Sequence, residues 1–423
     1  MPFPLSRLPR QPRDRFEVYR IFDGLSEEGK DGLDRGRTRV PLVKTFLLEH
    51  VSGRDGSRPK PLQEIWSGLH SAPEQIDETL FSISGHVKDE DGKFSEATTG
   101  YVEQFDERFF AYYTVEDSQS ARQRVRKWVT RSPDLDSTWF SSPLLKGLWD
   151  EYVSQREDHR YTKLVFRHES VFDMPEDAAY DGESEDEPTE QEDSADEHPE
   201  PERRRIRSEM GDCVFRLRKS LGGLRDSYPP LHALYSVRIP STLQRGGHDL
   251  NQEGQLTNRS NSFIDHRNHA RFLWRLYRDV VEDTEDSAWG SAGPQGKPLV
   301  GWQGVPLIVK FGEPLSRPTF DNFVSKAFRK GNRFNLWGEP QRLGPTKIHL
   351  YGADRHLWQP LNLEITDQRL VAILPRGTCG NTFHRLVANL QQWVCPKIDA
   401  WIGSRTFDSF VIPKNISPPA HET

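Results

Sequence analysis

An acidic run divides the chain and limits what can fold on either side of it. Residues 173–202 read DMPEDAAYDGESEDEPTEQEDSADEHPEPE and contain 15 Asp and Glu but no Lys or Arg. Because the run has few apolar side chains, burial cannot offset the conformational entropy that folding would cost. We therefore predict a disordered acidic loop or linker at 173–202, with an N-terminal α+β domain at 1–172 and a C-terminal α+β domain at 203–423.

The charge of the remaining residues indicates the type of partner. The whole chain has a formal net charge of -7, which becomes +8 when the 15 carboxylates of the run are left out. A surface with excess positive charge attracts anionic partners. No apolar stretch approaches the ~18 residues that cross a bilayer, and the spacing of the 3 cysteines suggests neither disulfides nor a zinc motif. We expect a cytoplasmic protein without membrane contact, cofactor or metal.

The pattern of apolar residues mixes helices with strands and shows no regular alternation of the two. Apolar residues at helical spacing predict helices at 61–70, 120–130, 214–221, 260–286, 319–330 and 382–394. Aromatic and β-branched runs predict strands at 108–116, 162–172, 231–240 and 304–311, followed by TKIHLYG, LNLEIT and RLVAIL. Ser262, with Asp265 soon after it, predicts the capped start of the longest helix. The mixture favours an α+β fold.

A glycine-rich loop, LPRGTCGNTFHRL at 374–386, lies between a predicted strand and a predicted helix. Backbone N–H groups at such a helix start can bind anions. Within the loop, Cys379 and Arg385 have C-x5-R spacing, in which a thiolate attacks phosphorus while the arginine holds the phosphoryl oxygens. The segment CGNTFHR resembles the phosphate-binding loop of low-molecular-weight protein tyrosine phosphatases. That resemblance implies a nucleophilic Cys379 and a phosphate-binding Arg385.

The same loop also has a purely structural interpretation. Gly377 and Gly380 would form a turn, and Cys379 would be a small buried side chain. Asn381 or Thr382 would then cap the following helix. The chain contains no Asp-Pro dipeptide, the usual setting of the general acid in those phosphatases. We prefer the structural interpretation to catalysis, and whether the protein is an enzyme stays open.

Several basic residues share a helix face or alternate with aromatic residues. The predicted nucleic-acid-binding residues are Arg267, Arg271, Arg275, Arg278, Arg329, Lys330 and Arg333. The first four lie on the longest predicted helix, and the other three alternate with Phe328, Phe334 and Trp337. Cations that hold phosphates, beside aromatic rings that stack on bases, are typical of single-strand and RNA binding. The alternative is that the arginines form helix salt bridges and the aromatic residues belong to the core.

Two groups of histidines and carboxylates raise the question of a metal. The first is His248, Asp249, Asp265, His266 and His269, and the second is His349, Asp354, His356 and Glu364. Neutral imidazoles and carboxylates suit zinc, manganese or iron. Neither group matches a motif such as HExxH, and histidines near a helix start often only hydrogen-bond the chain. The sequence therefore predicts no metal site.

Three functions are compatible with these features. We favour an intracellular nucleic-acid-associated protein, non-catalytic or a subunit of a larger complex, that binds DNA or RNA through arginine-rich helical faces. The acidic run would then compete with nucleic acid for the basic surface. The first alternative is a phosphoryl-handling enzyme that uses Cys379 and Arg385. The second is a non-catalytic interaction or scaffold protein whose basic stripes are only salt-bridged surface, with other protein subunits as its partners.

Overall fold

The computed structural model confirms a mixed α+β fold built on two antiparallel sheets. The structure describes residues 4–37, 40–50, 60–67, 69, 73–88, 94–153, 159–172, 205–242, 246–292, 302–329, 334–356 and 358–411. The acidic run at 173–202, predicted to be disordered, lies outside the described residues. Within the described ranges, none of the helices has the length and apolar composition needed to span a bilayer.

The helices range from single turns to one of 26 residues. In chain order they are α1 (Arg15–Asp34), α2 (Leu62–Ser67), α3 (Ser118–Arg131), α4 (Ser142–Leu148), α5 (Val214–Ser227), α6 (Phe263–Ala288), α7 (Arg317–Lys326), α8 (Asn381–Trp393) and α9 (Phe407–Val411). The predicted helices are confirmed as α2, α3, α5, α6, α7 and α8. The sequence pattern did not reveal α1, α4 and α9.

Within the part of the chain that the structure describes, the first sheet contains 11 strands. They are β1 (Lys44–His50), β2 (Pro73–Gln75), β3 (Leu80–Lys88), β4 (Phe94–Gln104), β5 (Phe109–Thr114), β6 (Leu135–Ser137), β7 (Tyr161–Glu169), β8 (Arg205–Cys213), β9 (Leu234–Pro240), β10 (Gly247–Asn251) and β11 (Gln255–Asn258). Their order is β2-β3-β4-β5-β1-β11-β10-β9-β7-β8, with β6 paired to β1. Every residue of β1 and β5 is buried, as expected for central strands covered on both faces.

The second sheet contains 7 strands near the C-terminal end of the described chain. After a short ribbon of β12 (Ser291–Ala292) and β13 (Trp302–Gln303), they are β14 (Leu307–Phe311), β15 (Leu336–Gly344), β16 (Lys347–Asp354), β17 (Gln359–Thr366), β18 (Arg369–Ile373), β19 (Ile398–Ile402) and β20 (Arg405–Thr406). Their order is β15-β16-β17-β18-β14-β19-β20. The strands predicted in this region are confirmed as β14, β16, β17 and β18.

The acidic run is inserted between two strands that pair with each other. β7 and β8 form an antiparallel pair whose last partners are Glu169 and Arg205. The first sheet therefore takes strands from both sides of the run, and the second sheet begins only at β14. The division between the two sheets thus does not coincide with the boundary predicted at 173–202.

The longest helix, α6, contacts β1 and β11 of the first sheet and β19 of the second. The side chain of Ser262 accepts the backbone N–H of Asp265 at 3.3 Å, which confirms the predicted cap. Leu273, Tyr277 and Val280 are buried at the predicted helical spacing. Because both sheets contact this helix, it buries side chains on more than one face and links the two halves of the fold.

The helix after the glycine-rich loop, α8, is buried on all sides. The sequence predicted one apolar face, but the polar side chains of this helix are buried as well. Gly380 occupies the N-cap position and offers no side chain, so the predicted cap at Asn381 or Thr382 is wrong. Those two side chains instead donate hydrogen bonds to the buried carboxylates of Asp136 and Asp354. Tertiary partners have replaced the local cap.

Candidate functional site

One face of the second sheet is exposed to solvent. In β16, buried Ile348 and Leu350 alternate with exposed His349 and Tyr351. Since successive strand side chains lie on opposite faces, the outward residues of neighbouring strands form one continuous surface. We call this surface the open face; its members include Lys310, Trp337, Lys347, His349, Tyr351, Glu364, Arg369 and Trp401.

Three large aromatic side chains lie at the β15–β16 side of the open face. Trp337, Tyr351 and Trp358 are 52%, 73% and 53% exposed. The ring centroids of Trp337 and Trp358 are 5.7 Å apart. Trp337 lies opposite Ala353, so Tyr351 is its diagonal neighbour at about 7–8 Å. Clustered exposed aromatic surface of this kind marks a binding site more often than isolated exposed residues do.

The backbone at Trp358 is unusual. Its φ angle is 52°, in the left-handed region that bulky residues rarely adopt. Such a conformation persists only where the surroundings enforce it. The result is an indole that stands beside Trp337 with about half of its surface exposed.

Basic side chains surround a single carboxylate at the centre of the open face. Glu364 accepts contacts from Lys347 at 2.8 Å, His349 at 3.1 Å and Arg369 at 3.3 Å. Hydrogen bonds from Lys347 and then His349 lower the pKa of Glu364 to about 2. The carboxylate is therefore ionised at neutral pH, and the lysine and the arginine together exceed its charge.

A second pairing of a cation with an aromatic ring lies on β14 and β19. The ammonium of Lys310 is 5.0 Å from the ring centroid of Trp401. Trp401 is paired with Ile308, the outward residue two positions before Lys310. The open face thus has aromatic rings toward both sides and charged side chains between them, and exposed Glu339 and Asp399 lie opposite Tyr351 and Lys310.

The fold separates the cations and aromatic residues that were predicted to alternate around position 330. Arg329 is exposed, whereas Lys330 and Arg333 lie outside the described residues. Phe328 and Phe334 are both 2% exposed and belong to the core. Of the aromatic residues in that segment, Trp337 is the one that reaches the surface.

The arginines near the start of α6 are held by contacts within the chain. Arg267 forms an ion pair with Glu103, whose side chain is 3% exposed. The same guanidinium lies 5.0 Å from the ring of Tyr19. Arg271 is half-buried. The predicted phosphate contact at Arg267 would require this buried pair to separate.

Further along α6, the arginines are closer to solvent. Arg275 is exposed, and its guanidinium lies 5.8 Å from the ring of Trp274. Arg278 also lies over Trp274, at 5.3 Å, and pairs with Asp279 at 3.0 Å. The four predicted arginines of α6 therefore occupy different environments, although their spacing follows one helix face.

The cysteine of the glycine-rich loop is inside the protein. Cys379 is fully buried, and its thiol donates to Glu49 at 3.2 Å. Burial, together with the nearby carboxylate, raises the pKa of Cys379 well above its usual range. The thiol is therefore protonated at neutral pH, whereas nucleophilic attack requires the thiolate.

Backbone N–H groups of this loop already donate hydrogen bonds to side chains of the protein. The N–H of Gly380 donates to Glu285, and the N–H of Cys379 donates to Gln359, each at 2.8 Å. Arg108 also donates to Glu285 at 2.8 Å. A carboxylate of α6 thus lies where a bound phosphate would otherwise receive these donors.

The arginine of the C-x5-R segment is also fully occupied. Arg385 is 1% exposed and forms ion pairs with Asp136 and Asp354. It also donates to the backbone carbonyl of Phe334 at 3.1 Å. Catalysis by Cys379 and Arg385 stays a prediction, and these contacts give it no support.

Burial shifts the protonation of the groups around Arg385. It raises the pKa of Asp136 to about 6, against the opposing charge of Arg385. It lowers the pKa of both His356 and His384 to about 4. Both ring nitrogens of His356, and Nδ1 of His384, are buried without a hydrogen-bond partner among the described groups. These imidazoles are neutral at physiological pH.

The structure brings most of the first predicted histidine group together. His248 Nε2 is 3.0 Å from Asp265 Oδ2, and His269 Nδ1 is 3.5 Å from Asp265 Oδ1. His266 Nδ1 lies 3.2 Å from His248 Nδ1. Asp249, in contrast, binds two arginines of neighbouring strands. The second predicted group is separated, because His349 and Glu364 face outward whereas Asp354 and His356 face inward.

The sequence analysis did not identify several residues of the open face and of the buried surroundings of Cys379 and Arg385. Tyr351 has a signal in retrospect, since HLYGAD alternates outward and inward positions and places Tyr351 with His349. Glu49 is the one acidic residue in the apolar strand KTFLLEH, which indicates a buried and paired carboxylate. Asp136 and Arg108 have no comparable local signal, because their partners are distant in sequence.

A family model described as MJECL33-like protein matches residues 21–192 and 244–408 of the chain. The uncharacterized protein MJECL33 of Methanocaldococcus jannaschii is 26% identical over 151 residues, which is 34% of this chain and 34% of that protein. The chain thus spans about a third of the length of this curated relative. No solved structure matches the chain.

Proposed function

The chain belongs to the MJECL33-like protein family, and we propose that it binds single-stranded nucleic acid through the open face. The observation that carries the proposal is the cluster of Trp337, Tyr351 and Trp358, each at least half exposed. Every nucleobase has a π-face, so rings that stand free on a sheet can stack on bases of any sequence. Each stacked base contributes about 1–3 kcal/mol.

The cations of the open face supply the contacts to phosphate. Lys347 and Arg369 each form an ion pair with Glu364 at the surface. An ion pair at such a position contributes only about 0–1 kcal/mol. Exchange of this carboxylate for a phosphate therefore costs little. Lys310, over Trp401, adds a cation toward the other side of the sheet.

The helical arginines are a second source of phosphate contacts. Arg275 and Arg278 lie near solvent on α6 and suit this role. Arg267 suits it less, because its ion pair with buried Glu103 would have to break.

The free thiols of Cys213, Cys379 and Cys395 suit the reducing cytoplasm, where we place the protein.

The test is binding of labelled single-stranded DNA and RNA of mixed sequence, followed by fluorescence anisotropy. Trp337→Ala and Trp358→Ala should each weaken binding by roughly 5–150-fold, the equivalent of one stacked base. Phe16→Ala is the matched control, since Phe16 on α1 is 72% exposed and lies outside the open face. That control should bind as the wild type does.

Salt dependence provides the second measurement. A nucleic-acid contact through Lys347, Arg369 and Lys310 predicts that log affinity falls linearly with log salt, by about 0.7 per phosphate contacted on a single strand. Absence of binding at low salt, or binding unaffected by loss of both tryptophans, would overturn the proposal. The scaffold interpretation, in which the rings contact another protein subunit, would then replace it.

A further inference from the structure

A compact group of buried histidines and one aspartate lies where α6 begins. We propose that His248, Asp265 and His269 bind one divalent transition metal, best matched by zinc, in a closed structural site. The three side chains are 0%, 1% and 0% exposed. Their candidate ligand atoms all lie within 4.8 Å of one another. The site shares no residue with the open face and is independent of nucleic-acid binding.

The distance between two of the donor atoms already suits a small tetrahedral ion. Zinc bonds to histidine nitrogen and carboxylate oxygen are about 2.0–2.2 Å long, so two ligands of one ion lie about 3.3 Å apart. The separation between His248 Nε2 and Asp265 Oδ2 is 3.0 Å, and the candidate ligand atom of His269 lies within 4.8 Å of both other ligand atoms. With both carboxylate oxygens coordinated, three side chains provide the four donor atoms of a structural zinc site.

Hydroxyl groups hold the proposed carboxylate ligand in place. Ser241 Oγ donates to Asp265 Oδ2, and Thr242 Oγ1 donates to Asp265 Oδ1, each at 2.6 Å. Partners of this kind orient a ligating carboxylate and raise metal affinity. His269 donates Nδ1–H to the backbone carbonyl of Asp265 at 2.8 Å, which makes Nε2 the atom of this ring that would bind a metal.

A chain of hydrogen bonds couples the tautomer of His248 to that of His266. Its Nδ1 lies 3.2 Å from Nδ1 of His266, and Nε2 of His266 lies 2.7 Å from Thr45 Oγ1. Without metal and with both rings neutral, Nε2–H of His248 donates to Asp265, and His266 then donates to His248 and accepts from Thr45. When a metal binds Nε2 of His248, the proton of that ring must lie on Nδ1. Nδ1 of His266 then accepts this proton in a hydrogen bond, and His266 carries its own proton on Nε2.

This reversal keeps the number of protons constant. Each imidazole holds one proton before and after, and the hydroxyl of Thr45 changes from donor to acceptor toward His266. The chain of imidazoles can therefore serve a ligated or an unligated His248 without a buried charge being created on either ring. A metal here would tie β10 to the first turns of α6, next to β1.

The experiment uses the full chain, refolded from denaturant with Zn²⁺ or Co²⁺ and freed of loosely bound metal by gel filtration. We expect about one metal per chain and the visible absorption bands of tetrahedral Co²⁺. Asp265→Asn should abolish both signals, whereas His349→Gln, a histidine of the open face, should leave them unchanged.

Two outcomes separate metal binding from a simple hydrogen-bonded cluster. Ser241→Ala keeps all three ligands, so it should still take up metal but with about 10–100-fold lower affinity. Absence of stoichiometric Zn²⁺ and Co²⁺ from refolded wild-type protein with native circular dichroism would overturn the proposal, whether or not Asp265→Asn folds. Nucleic-acid binding would not be affected by that result.

Discussion

The two faces of the second sheet both carry ionised side chains but place them in opposite environments. On the open face, Glu364 is 25% exposed and its partner Arg369 is 51% exposed. Against the inner face, Asp354 of β16 pairs with Arg385 of α8, which also pairs with Asp136 of β6 in the first sheet; the side chains of Arg385 and Asp136 are each 1% exposed. β16 contributes to both, since His349 faces outward and Asp354, at the end of the strand, faces inward. The same chemical groups can therefore act as an exchangeable surface or as a fixed internal link.

The difference follows from solvation. Water stabilises the separated charges of an exposed pair, so its formation contributes only about 0–1 kcal/mol. A buried charge has no water to stabilise it when its partner is lost, so removal of the partner leaves an uncompensated ion inside the protein. Exposed pairs can thus change partners when a ligand binds, whereas buried pairs cannot.

The largest expected effect is on the inner face. Arg385→Gln removes the cation between Asp136 and Asp354, and we expect the free energy of unfolding to fall by about 3–5 kcal/mol. Arg369→Gln removes a cation from the open face and should cost about 0–1 kcal/mol. Urea denaturation of both variants measures the contrast. Similar losses for the two variants would contradict the comparison.

A smaller effect, at a buried histidine of α8, depends on pH. Burial lowers the pKa of His384 to about 4 from an ordinary 6.5, so the folded state binds its proton less readily than the unfolded state does. The stability contributed by this neutral ring is complete above pH 6.5 and is lost as pH falls toward 4. Between pH 7 and pH 5, the wild type should lose about 2 kcal/mol more than His384→Gln does.

Denaturation of the two proteins at both pH values gives this difference directly. Asp136, whose pKa is raised to about 6 by burial, works in the opposite direction, because its protonated form favours the folded state as pH falls. Since Asp136 is present in both proteins, its contribution cancels. Parallel pH dependences would show that His384 is protonated equally in the folded and unfolded states.

The smallest effect on stability, with a separate effect on binding, is expected at Glu364. Glu364→Gln should change the free energy of unfolding by less than about 1 kcal/mol. It should also release Lys347 and Arg369 for phosphate, so single strands bind more tightly and the salt slope becomes steeper by about one unit. Glu107→Gln, at an exposed site in the turn between β4 and β5, is the control for net charge. Equal binding by both variants would count against the open face.

The sequence predicted much of the local structure because the signals there are local. The cap at Ser262 and the helical spacing of apolar residues were enough to identify α6. The partners of Arg385 could not be predicted in this way, since Asp136 lies 249 residues away. Likewise, C-x5-R spacing relates two residues along the sequence. It does not indicate that Cys379 binds Glu49 or that Arg385 binds Asp136.

α1 shows how tertiary packing can conceal a helix from sequence analysis. It contains Gly24, Gly29 and Gly32, and glycine lowers helix propensity by about 1 kcal/mol per residue relative to alanine. At Gly29 a Cβ atom would lie 2.4 Å from the backbone oxygen of Pro41. Gly29 is therefore required by a contact with the chain that follows the helix, and its local propensity is misleading.

The pairing of β7 with β8 has a consequence for variation in length. The ladder fixes only the positions of Glu169 and Arg205, at which the acidic run departs and returns. The composition of the run predicts a flexible connection, and for such a connection each doubling of length adds only about 0.6 kcal/mol to the cost of closure. Sequences that lengthen, shorten or replace this insertion would therefore keep the same hairpin, which makes it a suitable point for grafting a reporter domain.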